Sequence, residues 1–196
     1  MGTQQTTRQQ IIHAAFALIR REGVARLTIE AVAQEAGLSK GGVLYHFKTK
    51  ETLIQAMVAS LVERFDADIE IARGGGPEGA RSAPGSWLRA YIRASAGPAE
   101  EDGDTAALLA AVATDPSLLA PLQEQYARWQ AQAEADGVDP ALATVIRLAL
   151  DGLWMADLFG LAPPQGALRE LVIATLERMA SSRNAAPPSS KAAQNK

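Results

Sequence analysis

The stretch LSKGGVLYHFKTKE, residues 38–51, sets two adjacent glycines ahead of a branched and aromatic run, with lysines at 40, 48 and 50. Three local structures compete for it. By propensity Val43, Leu44, Tyr45, His46 and Phe47 favour a strand, and Gly41-Gly42 suits a type I′ turn, so the local reading is a hairpin. That hairpin lacks a partner: the preceding AGLSK has no strand character, and an isolated two-stranded hairpin is marginal in water. A phosphate-binding loop needs Gly-x-x-x-x-Gly-Lys-Ser/Thr opening a helix after a strand, and the register is absent. The third structure, a helix-turn-helix, depends on what flanks the stretch.

The flanks are helical. Ile11, Ile12, Ala15, Phe16 and Ile19 recur at helical spacing, with Thr6 or Thr7 as the cap and Gly23 as the stop. His13 lies beside that apolar face and reads as structural. Thr28 precedes Ile29, Val32, Ala33 and Ala36, and Gly37 follows in the position of a left-handed helix end. Ser39 then caps a third helix that buries Val43, with Leu38 inside the turn and small Ala33 where two helices cross. Thr49 caps a long fourth helix carrying Leu53, Ile54, Met57, Leu61 and Phe65 as far as about residue 72. Context therefore favours helix-turn-helix over hairpin.

Residues 73–86, RGGGPEGARSAPGS, form a Gly/Pro-rich loop. Helical spacing resumes over 87–96, 105–113, 122–135, 139–159 and 167–180, with start and stop signals at Asp139-Pro140, Gly137 and Gly160. The expected fold is all-α with about nine helices: a helix-turn-helix domain at 1–48, a helical body at 49–181 and a disordered tail at 182–196.

The chain has 196 residues, 47% of them hydrophobic, which suits a folded core. It contains no cysteine, which removes disulfides and thiolate chemistry, and no run of 18 apolar residues that would span a membrane, so the expected location is the cytoplasm. The net charge of −3 is uneven. Residues 1–50 hold seven Lys/Arg against three Asp/Glu, and residues 51–196 hold twelve against nineteen. A basic N-terminal unit on an acidic body suits an anionic polymer such as DNA. HExxH and GxSxG are absent and there are two histidines, so a helical enzyme finds no support. No metal or cofactor is expected. A helical interaction module without DNA binding is the other alternative, and it leaves the Thr28 to Lys50 arrangement without a purpose.

Leu27-Thr28, Ala33, Ala36-Gly37-Leu38-Ser39-Lys40-Gly41, Leu44-Tyr45-His46-Phe47 and Lys50-Glu51 resemble the signature of the TetR family of one-component transcriptional regulators, over about residues 8–56. The resemblance implies that Thr28, Ser39, Lys40, Gly41, Gly42, Leu44, Tyr45, His46 and Lys50 lie at or near DNA. Among these, Lys40, Lys50 and the Thr28 and Ser39 hydroxyls suit phosphate contacts, and Tyr45 and His46 can hydrogen-bond phosphates. Base reading falls to Lys40, with Val43 or Leu44 able to touch a thymine methyl. Two adjacent glycines cost a helix roughly 1 kcal/mol each relative to alanine, which makes sense if a bare surface must approach the groove. Phe47 reads as core and Tyr45 does not.

Residues 139–159 have almost no polar face and are expected to be buried on both sides. The resemblance implies that this helix and the last one pair with their copies in a homodimer, through Leu142, Ile146, Leu150, Leu153, Leu168, Leu171, Val172 and Leu176. Trp87, Tyr91, Tyr126, Trp129 and Trp154 are suited to lining a small-molecule pocket, with Asp151 as a carboxylate that Arg147, four residues earlier, can neutralise. Asp157 has no evident partner. The expected function is a ligand-responsive regulator: a homodimeric repressor on a palindromic double-stranded DNA operator, released by a small lipophilic effector, cationic ones included.

Overall fold

The computed structural model describes residues 2–74, 82–96, 105 and 115–181. Among the described residues it holds eight α-helices and no strand: α1 Gly2–Glu22, α2 Ile29–Glu35, α3 Lys40–His46, α4 Lys50–Gly74, α5 Ser86–Ala96, α6 Ala120–Ala135, α7 Pro140–Phe159 and α8 Gly166–Ala180. Short 3-10 turns at Val24–Arg26 and Pro116–Leu119 precede α2 and α6. Of the helix expected over 105–113 only residue 105 is described, and the centre of the 73–86 loop and the tail from 182 lie outside the described residues. No helix is long and apolar enough to cross a membrane, among the described residues.

The chain divides into two compact units, residues 1–68 with 99–128, and residues 69–98 with 129–196. In the first, α1 begins at Gly2, ahead of the Thr6 or Thr7 cap that the sequence suggested. Its Ile11, Ile12, Ala15, Phe16 and Ile19 enclose one core with Leu27, Val32, Val43, Phe47, Leu53 and Met57. His13 is exposed, so it is not part of that core.

The turn between α2 and α3 satisfies its own backbone. Gly37 adopts φ +66, Leu38 N–H donates to the Ala33 carbonyl (2.9 Å) and Gly37 N–H to the Gln34 carbonyl (3.2 Å), the double closure of a Schellman motif. From α1, Gln10 Nε2 donates to the Ala36 carbonyl at 2.8 Å. Thr28 Oγ1 accepts from Ala31 N–H (3.1 Å) and Ser39 Oγ from Gly42 N–H (3.0 Å), so each short helix starts on a side-chain cap. The hairpin is excluded because Gly41 and Gly42 lie inside α3. Thr49 and Thr52 exchange backbone N–H and hydroxyl bonds (3.1 and 3.2 Å) at the start of α4.

In the second unit α5 packs on α7 and α8. Trp87, Leu88, Tyr91 and Ile92 are buried with Ile146, Leu150 and Ala180. Asp136, just past α6, accepts from the Trp87 and Leu88 N–H groups (3.0 and 2.9 Å), capping α5 from a distance in sequence. Its carbonyl accepts from Gly85 N–H at 2.7 Å. Within one chain α7 is covered on one side: Ala143, Ile146, Leu150 and Leu153 are buried, whereas Val145, Leu148, Met155 and Phe159 are exposed. Its partners α5 and α8 cover only one face, and an apolar pattern cannot say whether the other is covered by the same chain.

Gly85 is where this unit is least tolerant. Its φ is +75, and a Cβ there would lie 2.0 Å from the Ala180 carbonyl oxygen. At Gly160, φ +63, a Cβ would meet nothing within 4 Å. Gly85→Ala should therefore lose about 1–3 kcal/mol more stability than Gly160→Ala in urea denaturation, the excess being the steric part beyond the cost of a positive φ, which both carry.

Candidate functional site

The first candidate surface is built by the two short helices. Ser39 and Thr28 each accept one cap bond at the hydroxyl oxygen, which leaves the O–H to donate outward. Tyr45 is 63% exposed, with its ring edge-to-face on His46 at 5.2 Å. Phe47 is buried, and the Arg8 guanidinium sits 5.2 Å from its ring centroid, so these neighbouring aromatics have opposite roles. Leu44, His46 and Lys50 are half-buried, while Lys40, Gly41 and Lys48 are exposed. Lys48, which the sequence reading passed over because it falls between the third helix and the cap of the fourth, stands at the turn into α4 with Lys50.

Gly41 separates the demands of fold and surface. A Cβ there would meet only Ser39 Oγ, at 3.9 Å, an ordinary van der Waals distance. At Gly42 the same oxygen would lie at 3.4 Å. The packing of the chain thus has no need of glycine at 41, although the residue weakens the helix.

The basic charge of this unit is partly tied down. Arg21 holds Glu35 (2.7 Å) and Glu22 (2.9 Å), and Arg26 lies 3.8 Å from Glu22. The Lys40 ammonium bonds the Glu30 carboxylate. That hydrogen bond is the main reason the Glu30 carboxyl is held below its ordinary range, as Arg21 does for Glu35, so both stay ionised at neutral pH.

In the second unit, four of the six residues singled out for a pocket come together. Trp87 and Tyr91 have ring centroids 5.1 Å apart, and Tyr91 meets Trp129 edge-on at 5.9 Å. All three are buried. The Tyr91 hydroxyl donates to Asp151 Oδ1 at 2.9 Å. Arg147 Nη1 donates to Asp151 Oδ2 at 2.6 Å, the expected salt bridge, and its Nε donates to Gln130 Oε1 at 2.6 Å. Trp154 is half-buried on α7, and Tyr126 belongs to the first unit. Asp157 does have a partner: Arg169 grips it with two bonds of 2.9 Å from α8. An open cleft of about 450 Å³, lined by Arg89, Arg93, Ala174, Glu177, Arg178 and Ser181, contains none of the predicted residues.

The residues expected to face a second copy divide. Ile146, Leu150, Leu153 and Leu176 are buried within the chain itself; Leu142 and Val172 are half-buried; Leu168 and Leu171 are each 58% exposed. Of the nine large apolar side chains exposed among the described residues, seven fall between Val145 and Leu171, on α7, α8 and their connection.

A capped helix-turn-helix followed by an all-helical body defines a class of DNA-binding regulators. Residues 11–57 match the model of bacterial regulatory proteins of the tetR family, and residues 85–181 match a tetracyclin repressor-like C-terminal domain. The chain belongs to the TetR family of transcriptional regulators. It is 44% identical over 62 residues to the HTH-type transcriptional regulator TtgR of Pseudomonas putida, covering 32% of this chain and 30% of that protein. It is 32% identical over 95 residues to BetI of Paraburkholderia xenovorans, covering 48% and 47%. These alignments span less than half the length of either relative. Among solved structures, a TetR-family member from Streptomyces coelicolor A3 matches with TM-score 0.65 and 27% identity over 88% of this chain and 97% of that one. The multidrug binding protein EbrR complexed with malachite green matches with TM-score 0.66 and 26% identity, covering 88% and 96%.

The Asp151 pair is shielded, with side-chain exposures of 12% for Arg147 and 17% for Asp151. Arg147→Met should cost ~3 kcal/mol in urea denaturation by stranding the carboxylate. Adding Asp151→Asn, which removes the charge but keeps an acceptor for Tyr91, should recover at least half of that loss.

Proposed function

We propose that the protein is a homodimeric, ligand-responsive repressor that binds a palindromic operator through α3 and is released by a small lipophilic effector. The division of labour is then a reader over residues 1–48 and an effector and dimer body over 49–181. The observation that carries the DNA reading is Gly41: the fold tolerates a side chain there, the helix would gain from one, and a closely approaching ligand is what remains to exclude it. Lys48 and Lys50 join the Thr28 and Ser39 hydroxyls, Tyr45 and His46 as phosphate contacts, with Lys40, Gly41, Gly42 and Leu44 facing the major groove.

Two copies would place their readers about 34–36 Å apart, one turn of DNA, and an effector that binds better to a differently spaced dimer would empty the operator by population shift. The effector site is proposed around Trp87, Tyr91, Trp129 and Asp151. EbrR, a structural relative, is a multidrug binding protein seen with malachite green and with ethidium, which supports a lipophilic effector and admits cationic ones. Asp151 is already neutralised by Arg147, so a cation would have to displace that arginine or bind beside the aromatic rings. The dimer surface is proposed on the exposed apolar set of α7 and α8, including Val145, Leu148, Leu168 and Leu171, because a two-fold interface requires one self-complementary patch.

Gel shift of the full chain against the DNA flanking its own gene tests the central reading, and a saturable, sequence-dependent complex is expected. Gly41→Ala should raise stability by roughly 0.5–1 kcal/mol while weakening that complex, opposite signs that a merely structural glycine would not produce. For the dimer, sedimentation should give about twice the 20.7 kDa chain mass, and Leu148→Glu with Leu171→Glu should give the monomer.

A further inference from the structure

Lys40 is the one lysine or arginine of α3, and its ammonium is held by Glu30 in the first turn of α2. Both side chains are largely exposed, at 58% and 60%, and a surface ion pair adds little to a fold. Burial of Val32, Ala33 and Val43 in one cluster already joins the two helices. The consequence of the pair therefore lies in what it lets Lys40 do.

An unpaired lysine on its flexible stem is a point charge drawn to any phosphate within reach. Phosphate contacts of that kind make up non-specific binding and carry its salt dependence. With Glu30 as counter-charge, Lys40 contributes little to that attraction. It retains N–H donors not used by the carboxylate, able to reach O6 or N7 of a guanine. The other acids of residues 1–50, Glu22 and Glu35, are engaged by Arg21.

We propose that Glu30 is a specificity-determining residue, which holds Lys40 away from the phosphates and presents it to a base edge. This rests on the reading of α3 as the DNA-contacting helix. It explains how a helix with one lysine and no arginine can discriminate sequences: the lysine is positioned by a second side chain instead of being duplicated.

The test uses the full chain and two duplexes of equal length, an operator selected by the wild-type protein from a random pool and a random sequence, in fluorescence polarisation across a NaCl series. Glu30→Gln should tighten binding to the random duplex roughly two- to fivefold. It should also steepen the salt slope on that duplex by about 0.9 per protomer, the value for one added phosphate contact. Operator affinity should change less, so the specificity ratio falls, and in a Lys40→Ala background Glu30→Gln should leave the ratio unchanged. Equal tightening on both duplexes, repeated in the Lys40→Ala background, would reduce Glu30 to a through-space charge and overturn the inference alone. Failure of the wild-type protein to select any sequence removes the DNA reading of α3 and the inference with it.

Discussion

The N-terminal unit depends on burying Val43 beside Val32 and Leu27 within the core that α1 and α4 provide. α2 and α3 are seven residues each, far too short to persist alone, since helix nucleation is unfavourable and few hydrogen bonds offset it. They exist because each places a fully buried valine in the shared core and because their ends are closed. Thr28 and Ser39 cap the starts, and Gly37 and Leu38 return the end of α2 to its own carbonyls. That packing sets the angle between two short rods and hence the surface that Gly41, Lys40 and Tyr45 present. It also lets α3 carry two glycines that would unwind a solitary helix.

The body answers to a different constraint. Three chain segments meet around Gly85, Asp136 and Ala180: an aspartate 50 residues along the chain caps α5, and a missing side chain allows a carbonyl to approach. Around Tyr91 the packed aromatics and the Asp151–Arg147 pair form a polar and aromatic interior that is satisfied without a ligand. An effector there would have to exchange contacts, not fill a vacancy, which is the kind of differential interaction that can shift a conformational equilibrium.

Much of this was legible in the residues. Caps at Thr28, Ser39, Thr49 and Asp139 and stops at Gly23, Gly37 and Gly160 are local, so their chemistry can be read in order along the chain. The Arg147–Asp151 bridge was legible for the same reason, four residues being one helical turn. Arg169 on Asp157 and Lys40 on Glu30 were not, because their partners lie on different helices and only the packing angle brings them together. The apolar outward face of α7 was legible but its cover was not, because apolar periodicity reports that a face avoids water, not which chain covers it. Gly41-Gly42 sat in helix against the local preference for a turn, tertiary burial of Val43 outweighing propensity.

The sequence by itself determined the all-helical class, the helix-turn-helix and the family resemblance, because capping, turn geometry and apolar spacing act over a few residues. Only the tertiary structure decided which apolar residues are left exposed, which acid neutralises which base and which glycines the fold could do without. Those properties depend on distances between segments remote in sequence, and such distances exist only once the helices have packed.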